Sequence, residues 1–198
     1  MFAKVATAFF VLVVSSAPAW AAQRQNLDVF KDVSQQVLRY PHFTVFDSVH
    51  AQVDEGVVTL SGKVTMPYKS QDIERRVAKI EGVRQVKNDI TTLPVSFFDD
   101  ELRLRISRAI YGNSNFWRYG AMVNPPIHII VDGGRVTLEG VVNSNIDRML
   151  ARSIASSFNA FSVTSNLKTD AEVEQELERL LTELALKTRA VRELEAKK

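Results

Sequence analysis

The spacing of apolar residues along the chain changes several times, and each change predicts an element. Val5 to Val14 is an almost unbroken apolar run. Val29, Val33 and Val37 then recur every fourth residue, with Phe30 and Leu38 beside them, which is the stripe of an amphipathic helix. Val49, Ala51 and Val53 alternate, as do Val58, Leu60, Gly62 and Val64, so two strands follow. Asp54-Glu55-Gly56 between them predicts a tight hairpin turn. Gly62, inside the second strand, predicts a bulge or the close approach of a packed helix. Ile73, Val77 and Ile80 return to helical spacing, and Val83, Val86 and Ile90 make a last short strand. The same succession then comes again. Leu102, Ile106 and Ile110 mark a helix, and a second hairpin turns at Asp132-Gly133-Gly134. Ile146, Leu150, Ile154 and Phe158 mark another helix, and Val163 with Leu167 a final strand. Asp28 and Asp99-Asp100 are expected as N-cap and first-turn residues. Gly82 and Asn159 are expected as left-handed helix ends.

The recurrence is an internal duplication. Val49–Val64 and Ile127–Val142 align at an offset of 78 with nine of sixteen positions identical: His, Val, Asp, Gly, Val, Thr, Leu, Gly and Val. The offset falls to 77 after the hairpin. The predicted class is α+β, each unit an αββαβ fold whose three-stranded sheet is covered by two helices on one face. The expected division is a signal segment at 1–21, a first domain at 27–92, a linker at 93–97, a second domain at 98–169 and an amphipathic helix at 170–198.

The pattern V-x-V-x-x-G-x-V-x-L-x-G-x-V between two helices, closed by Gly82-Val83, Val86, Asn88 and Ile90, resembles the BON domain, the bacterial OsmY and nodulation module. Copy two matches through its hairpin and departs at Asn159-Ala160 and Ser165. The resemblance spans Leu27 to Thr169. It implies an exported or envelope protein that binds phospholipid surfaces and supports envelope integrity, with no enzymatic activity and no cofactor.

Composition narrows the chemistry. The chain has 198 residues, no Cys, 25 Lys+Arg against 23 Asp+Glu and a net charge of +2. Thiolate metal sites, disulfides and cysteine nucleophiles are excluded. The charge is too balanced to mark a nucleic-acid binder. Lys4, the apolar run, Pro18 and Ala19-Trp20-Ala21 read as a secretory signal peptide, so the expected location is periplasmic. The run is too short for a span, which needs about 20 residues. No catalytic or metal-binding residue is assigned. His50 and His128 occupy equivalent strand positions, and with no ligand spacing around them a duplicated structural role is the plainer reading. Asp99-Asp100-Glu101 reads better as helix-terminal charge than as a cation site.

Two features are candidates for binding. Residues 98–169 carry 8 basic and 6 acidic residues, whereas 27–92 carry 9 of each. The excess accompanies an aromatic loop unique to copy two. Arg103, Arg105 and Arg108 on its helix, with Phe116, Trp117, Arg118 and Tyr119 in the loop, form a candidate surface for anionic lipid or an envelope protein. The alternative is that the loop aromatics fill a gap between domains. In the last helix Val173, Leu177, Leu180, Leu184, Val191 and Leu194 make a heptad seam with Lys187 at one core position. Leu177, Leu180 and Leu184 are its candidate partner contacts. The stripe packs back on the chain, joins another protein or forms a homo-oligomer. The competing overall function is therefore an interaction scaffold working through this helix.

Overall fold

The computed structural model describes residues 19–195. The expected signal segment lies outside them, apart from Ala19–Ala21 at the start of the first helix. Copy one runs α1 (Ala19–Leu38), β1 (Ser48–Asp54), β2 (Val57–Val64), α2 (Pro67–Val77) and β3 (Gln85–Thr92). Copy two runs α3 (Phe97–Tyr111), a 3-10 turn (Ser114–Phe116), α4 (Trp117–Gly120), β4 (Ile127–Asp132), β5 (Arg135–Val142), α5 (Asn145–Ser156) and β6 (Ser162–Thr169). α6 (Asp170–Glu195) follows directly.

Each copy is a three-stranded mixed sheet. β1 and β4 pair antiparallel with β2 and β5, which pair parallel with β3 and β6. The parallel partner returns through α2 or α5, the crossover such pairing requires. Alternate residues of the central strand enter the core: Val58, Leu60 and Val64 in copy one, Val136, Leu138 and Val142 in copy two. They meet Val29, Val33, Val37, Ile73 and Val77 in the first core, and Leu102, Ile106 and Ile110 in the second. The predicted α+β class, with helices packed on each sheet and a C-terminal helix, is the observed one.

Both hairpins use two-residue turns whose central residues have positive φ: Glu55 (46°) with Gly56 (79°), and Gly133 (57°) with Gly134 (75°). This geometry matches the twist of the flanking strands. Gly62 and Gly140 have a different cause from the one expected. Neither is a bulge and neither meets a helix. They lie opposite Val49 and Ile127, at φ of 124° and 120°. A side chain there would overlap the carbonyl oxygen of Ser48 or Pro126 on the entering strand.

Several expected details are corrected. Asp28 is interior to α1, because the good helix formers of Ala19–Asn26 carry the helix upstream of it. α2 ends at Val77, so Gly82 lies beyond its cap, although its φ of 87° is left-handed. Asn159 is not left-handed: the Ala160 N–H reaches the Phe158 carbonyl and closes a three-residue turn around it. In α5 the fully buried residues are Ala151 and Ala155, while Ile146 is exposed. α5 packs on α3, and small side chains on that face let the helix backbones approach.

Candidate functional site

The hairpin end of copy two is assembled around one carboxylate. Ser96 caps α3, accepting the Asp99 N–H at 3.2 Å. That puts Asp99 in the first turn, as expected, but its buried carboxylate leaves the helix. One oxygen accepts the Gly133 N–H at 2.9 Å and the other the Gly134 N–H at 2.8 Å. One turn on, Arg103 is also buried: it donates to the Val131 carbonyl at 2.6 Å and pairs with Asp100. α3 is thus stitched to β4 and to the turn after it.

Aromatic rings surround this turn. Phe98 and Phe161 both stand within contact distance of a side chain built on Gly134. The Phe161 N–H donates to the Gly134 carbonyl at 2.8 Å. The Arg135 guanidinium lies 5.5 Å from the Phe161 ring centroid. Phe161 is 82% exposed, Phe98 52% and its neighbour Phe97 85%. Copy one makes the same backbone bond at this point, from the Arg84 N–H to the Gly56 carbonyl, but there it is the Arg84 side chain that packs on the turn glycine. The exposed ring is therefore a departure within a shared backbone design.

A second polar site joins the copies. Glu139 on β5 accepts the Ser48 hydroxyl from β1 and lies 3.1 Å from His50 Nε2. Lys63 on β2 pairs with Asp132 at the end of β4. The Ile129 N–H donates to the Val45 carbonyl at 2.7 Å, and His128 Nδ1 donates to the Asp47 carbonyl at 2.6 Å. The Asp47 side chain is fully buried, held by Lys69, Thr65 and Thr44. Burial works against its charge, but the Lys69 ammonium and those hydrogen bonds hold its pKa below the ordinary value. A cleft of about 500 Å³ opens beside the junction, lined by Ser48, His50, Lys63, Asp132, Arg135 and Glu139 among others.

The charges at this junction are tuned by their partners. The hydrogen bond with His50 is the main cause holding Glu139 down, to about 2, with Ser48 assisting against partial burial. The same bond raises His50. Burial lowers His128 despite the carbonyls of Asp47 and Thr44. Ser48, His50 and Glu139 do not form a nucleophilic relay. The hydroxyl (3.3 Å) and the carboxylate (3.1 Å) converge on the same ring nitrogen, whereas a relay needs one on each. Among the described residues, no three His, Cys, Asp or Glu side chains are placed to hold a metal ion.

The candidate surface read from the loop divides. Phe116 and Tyr119 are buried in the second core. The Tyr119 hydroxyl donates to Asp147 and accepts the Asn143 N–H, each at 2.8 Å. With Arg103 buried too, these three cannot touch a membrane or a partner, and that expectation is corrected. Trp117, Arg105, Arg108 and Arg118 remain exposed. Arg105 leans on the Phe158 ring at 5.3 Å from its centroid. Phe116 and Tyr119 fill the interior of copy two itself, beneath the chain between α3 and β4, while Trp117 faces out.

α6 is attached at its start. Thr169 and Glu172 form a reciprocal capping box. Glu172 pairs with Arg148 at 2.8 Å, and Glu176 with Lys168. Leu177 and Leu180 are exposed; the side chain of Leu184 lies outside those described. Sequence reasoning missed the junction because His50 and His128 look inherited when seen as equivalents. The missed aromatic end had one legible signal, Phe161 standing where copy one has Arg84.

The family model described as the BON domain matches residues 30–94 and again residues 99–171. No curated protein matches the chain. Among solved structures it is similar to the C-terminal domain of CdsD, a structural protein of the type III secretion system of Chlamydia trachomatis. The identity is 14% and the TM-score 0.32, over 79% of this chain and 72% of that one. A second structure of CdsD aligns at 13% identity and TM-score 0.28, over 76% and 97%.

Proposed function

This chain belongs to the BON domain family, whose modules are non-catalytic, and from that premise we propose that it is an exported envelope protein that binds anionic phospholipid surfaces through the hairpin end of its second copy. The observation that supports this is the pair of exposed rings at the Gly134 turn, Phe98 and Phe161, with Arg135 against Phe161 and the exposed Phe97 next to Phe98 in sequence. Aromatic rings on a rigid tip favour the boundary between water and acyl chains, and a guanidinium beside them favours anionic headgroups. The tip is preorganised by Asp99, so little ordering accompanies docking. Among the described residues no helix is long and apolar enough to cross a membrane.

Partial immersion of a phenylalanine ring contributes about 1 kcal/mol. Replacing all three rings by serine then weakens vesicle binding roughly a hundredfold. Co-sedimentation with vesicles of phosphatidylglycerol and phosphatidylcholine measures this. Wild-type binding that rises with the anionic fraction, and its loss in the triple variant, is the expected result. Absence of wild-type binding, or undiminished binding by the variant, refutes the reading.

A further inference from the structure

We propose that α6 is the pairing element of a homodimer, in which the helices of two copies lie antiparallel about a two-fold axis near Thr182. Residues 170–180 are exposed along their length; among the described residues Glu172 and Glu176 tie the start of the helix to copy two, and the helix also approaches α1. Of its heptad stripe, the described side chains of Leu177 and Leu180 are open to solvent, 49% and 59% exposed.

Charge selects both the occupant and its direction. Residues 170–183 hold six acids (Asp170 and Glu172, 174, 176, 178 and 183) against Arg179. Residues 184–198 hold five bases (Lys187, Arg189, Arg192, Lys197 and Lys198) against Glu193 and Glu195. Parallel pairing sets acid on acid and base on base. It also places Lys187 opposite Lys187 in one core layer. Antiparallel pairing lays the acidic half of each copy against the basic half of the other. The layers become Leu184 on Leu180, Val191 on Val173 and Lys187 on Leu177. Lys187 is then matched in charge by Glu174 and Glu176, which flank the seam position of Leu177. The residue that disfavours a parallel coil thus favours an antiparallel one. Because each body sits at the start of its own helix, the two bodies lie at opposite ends of the pair.

Analytical ultracentrifugation of the purified protein tests the pairing. Twice the chain mass is expected, with dissociation promoted between 0.05 and 0.5 M salt. Leu180→Glu is expected to give the monomer with unchanged melting of the two domains, since the side chain is exposed. Direction is read by spin labelling, which the absence of Cys makes clean. A label at Glu174→Cys gives a spacing of about 26 Å between antiparallel copies, from 1.5 Å per residue and about 10 Å between axes, and about 10 Å between parallel ones. A monomer at every concentration, a Leu180→Glu dimer, or the short distance overturns the proposal.

Discussion

Glu139→Gln should weaken the junction between the copies in a way that depends on pH. The substitution keeps an acceptor for the Ser48 hydroxyl but removes the charge facing His50. At 3.1 Å a unit pair gains about 1.3 kcal/mol in water and about 5 kcal/mol at an effective dielectric of 20. The His50 ring is 63% exposed, so the lower end governs and the charge is worth about 1–2 kcal/mol. The sign follows from the two shifts. His50 is raised above 6.5, so its share is complete below about 6.5 and fades as pH climbs through the raised value. Glu139 is lowered from 4.5 to about 2, so its share is complete above about 4.5 and fades toward 2. The pair is therefore strongest between about pH 4.5 and 6.5. Other groups face it: Asp47 and His128 across the junction, with Lys63 and Asp132 beside it. His128 is lowered by burial and opposes His50 in the wild-type profile, so the difference between wild type and variant is the informative quantity. Thermal melts should show a Tm difference of about 3–6 °C at pH 5.5, at roughly 3 °C per kcal/mol for a chain of this size. That difference should shrink to about 1 °C at pH 9. A difference that is constant from pH 5 to 9, or that grows toward alkaline pH, refutes the assignment.

Two further substitutions test the scaffold. Asp99→Ala removes two charge-assisted hydrogen bonds and leaves the buried Gly134 N–H without its acceptor; a loss of about 3 kcal/mol is expected in urea unfolding, and vesicle binding should fall because the aromatic tip loosens. Gly140→Ala forces a methyl group into the Pro126 carbonyl; it should destabilise copy two by more than about 3 kcal/mol and broaden the amide spectrum of β4 and β5, whereas a well-folded variant would contradict the close approach.

What the sequence made legible is what short-range physics decides. The alternation in Val58, Leu60 and Val64, the four-residue spacing of Leu102, Ile106 and Ile110, and the Gly-containing turns each declare an element without reference to distant residues. The failures share the opposite cause. Ala151 and Ala155 form the buried face of α5 because α3 lies close to it, and hydropathy favours Ile146 instead. Phe116 and Tyr119 look like membrane anchors until the core beneath their loop is known to need them. Tyr119 carries a polar tip that meets Asp147 and Asn143, contacts 28 and 24 residues away. Arg103 reads as surface charge, yet its guanidinium serves a strand-edge carbonyl. The junction was least legible, because reciprocal contacts between two copies leave no periodic trace.

Set against each other, the copies separate fold from surface. The shared hairpin residues include the core pairs Val58/Val136, Leu60/Leu138 and Val64/Val142 and the close-approach pair Gly62/Gly140. Some differences repack the core, with Ile127 and Ile129 standing for Val49 and Ala51; others fall on exposed or junction positions. Ser61 stands in β2 where Glu139 stands in β5, so only one of the two equivalent histidines meets a carboxylate, and the junction cannot be symmetric. Arg84 stands where Phe161 stands, so only one hairpin end is aromatic. A binding surface shared equally by both copies would hold the tips alike. Under the proposed function one tip meets the lipid, and the Glu139–His50 and Lys63–Asp132 contacts give the other copy its part: they fix the direction in which that tip points.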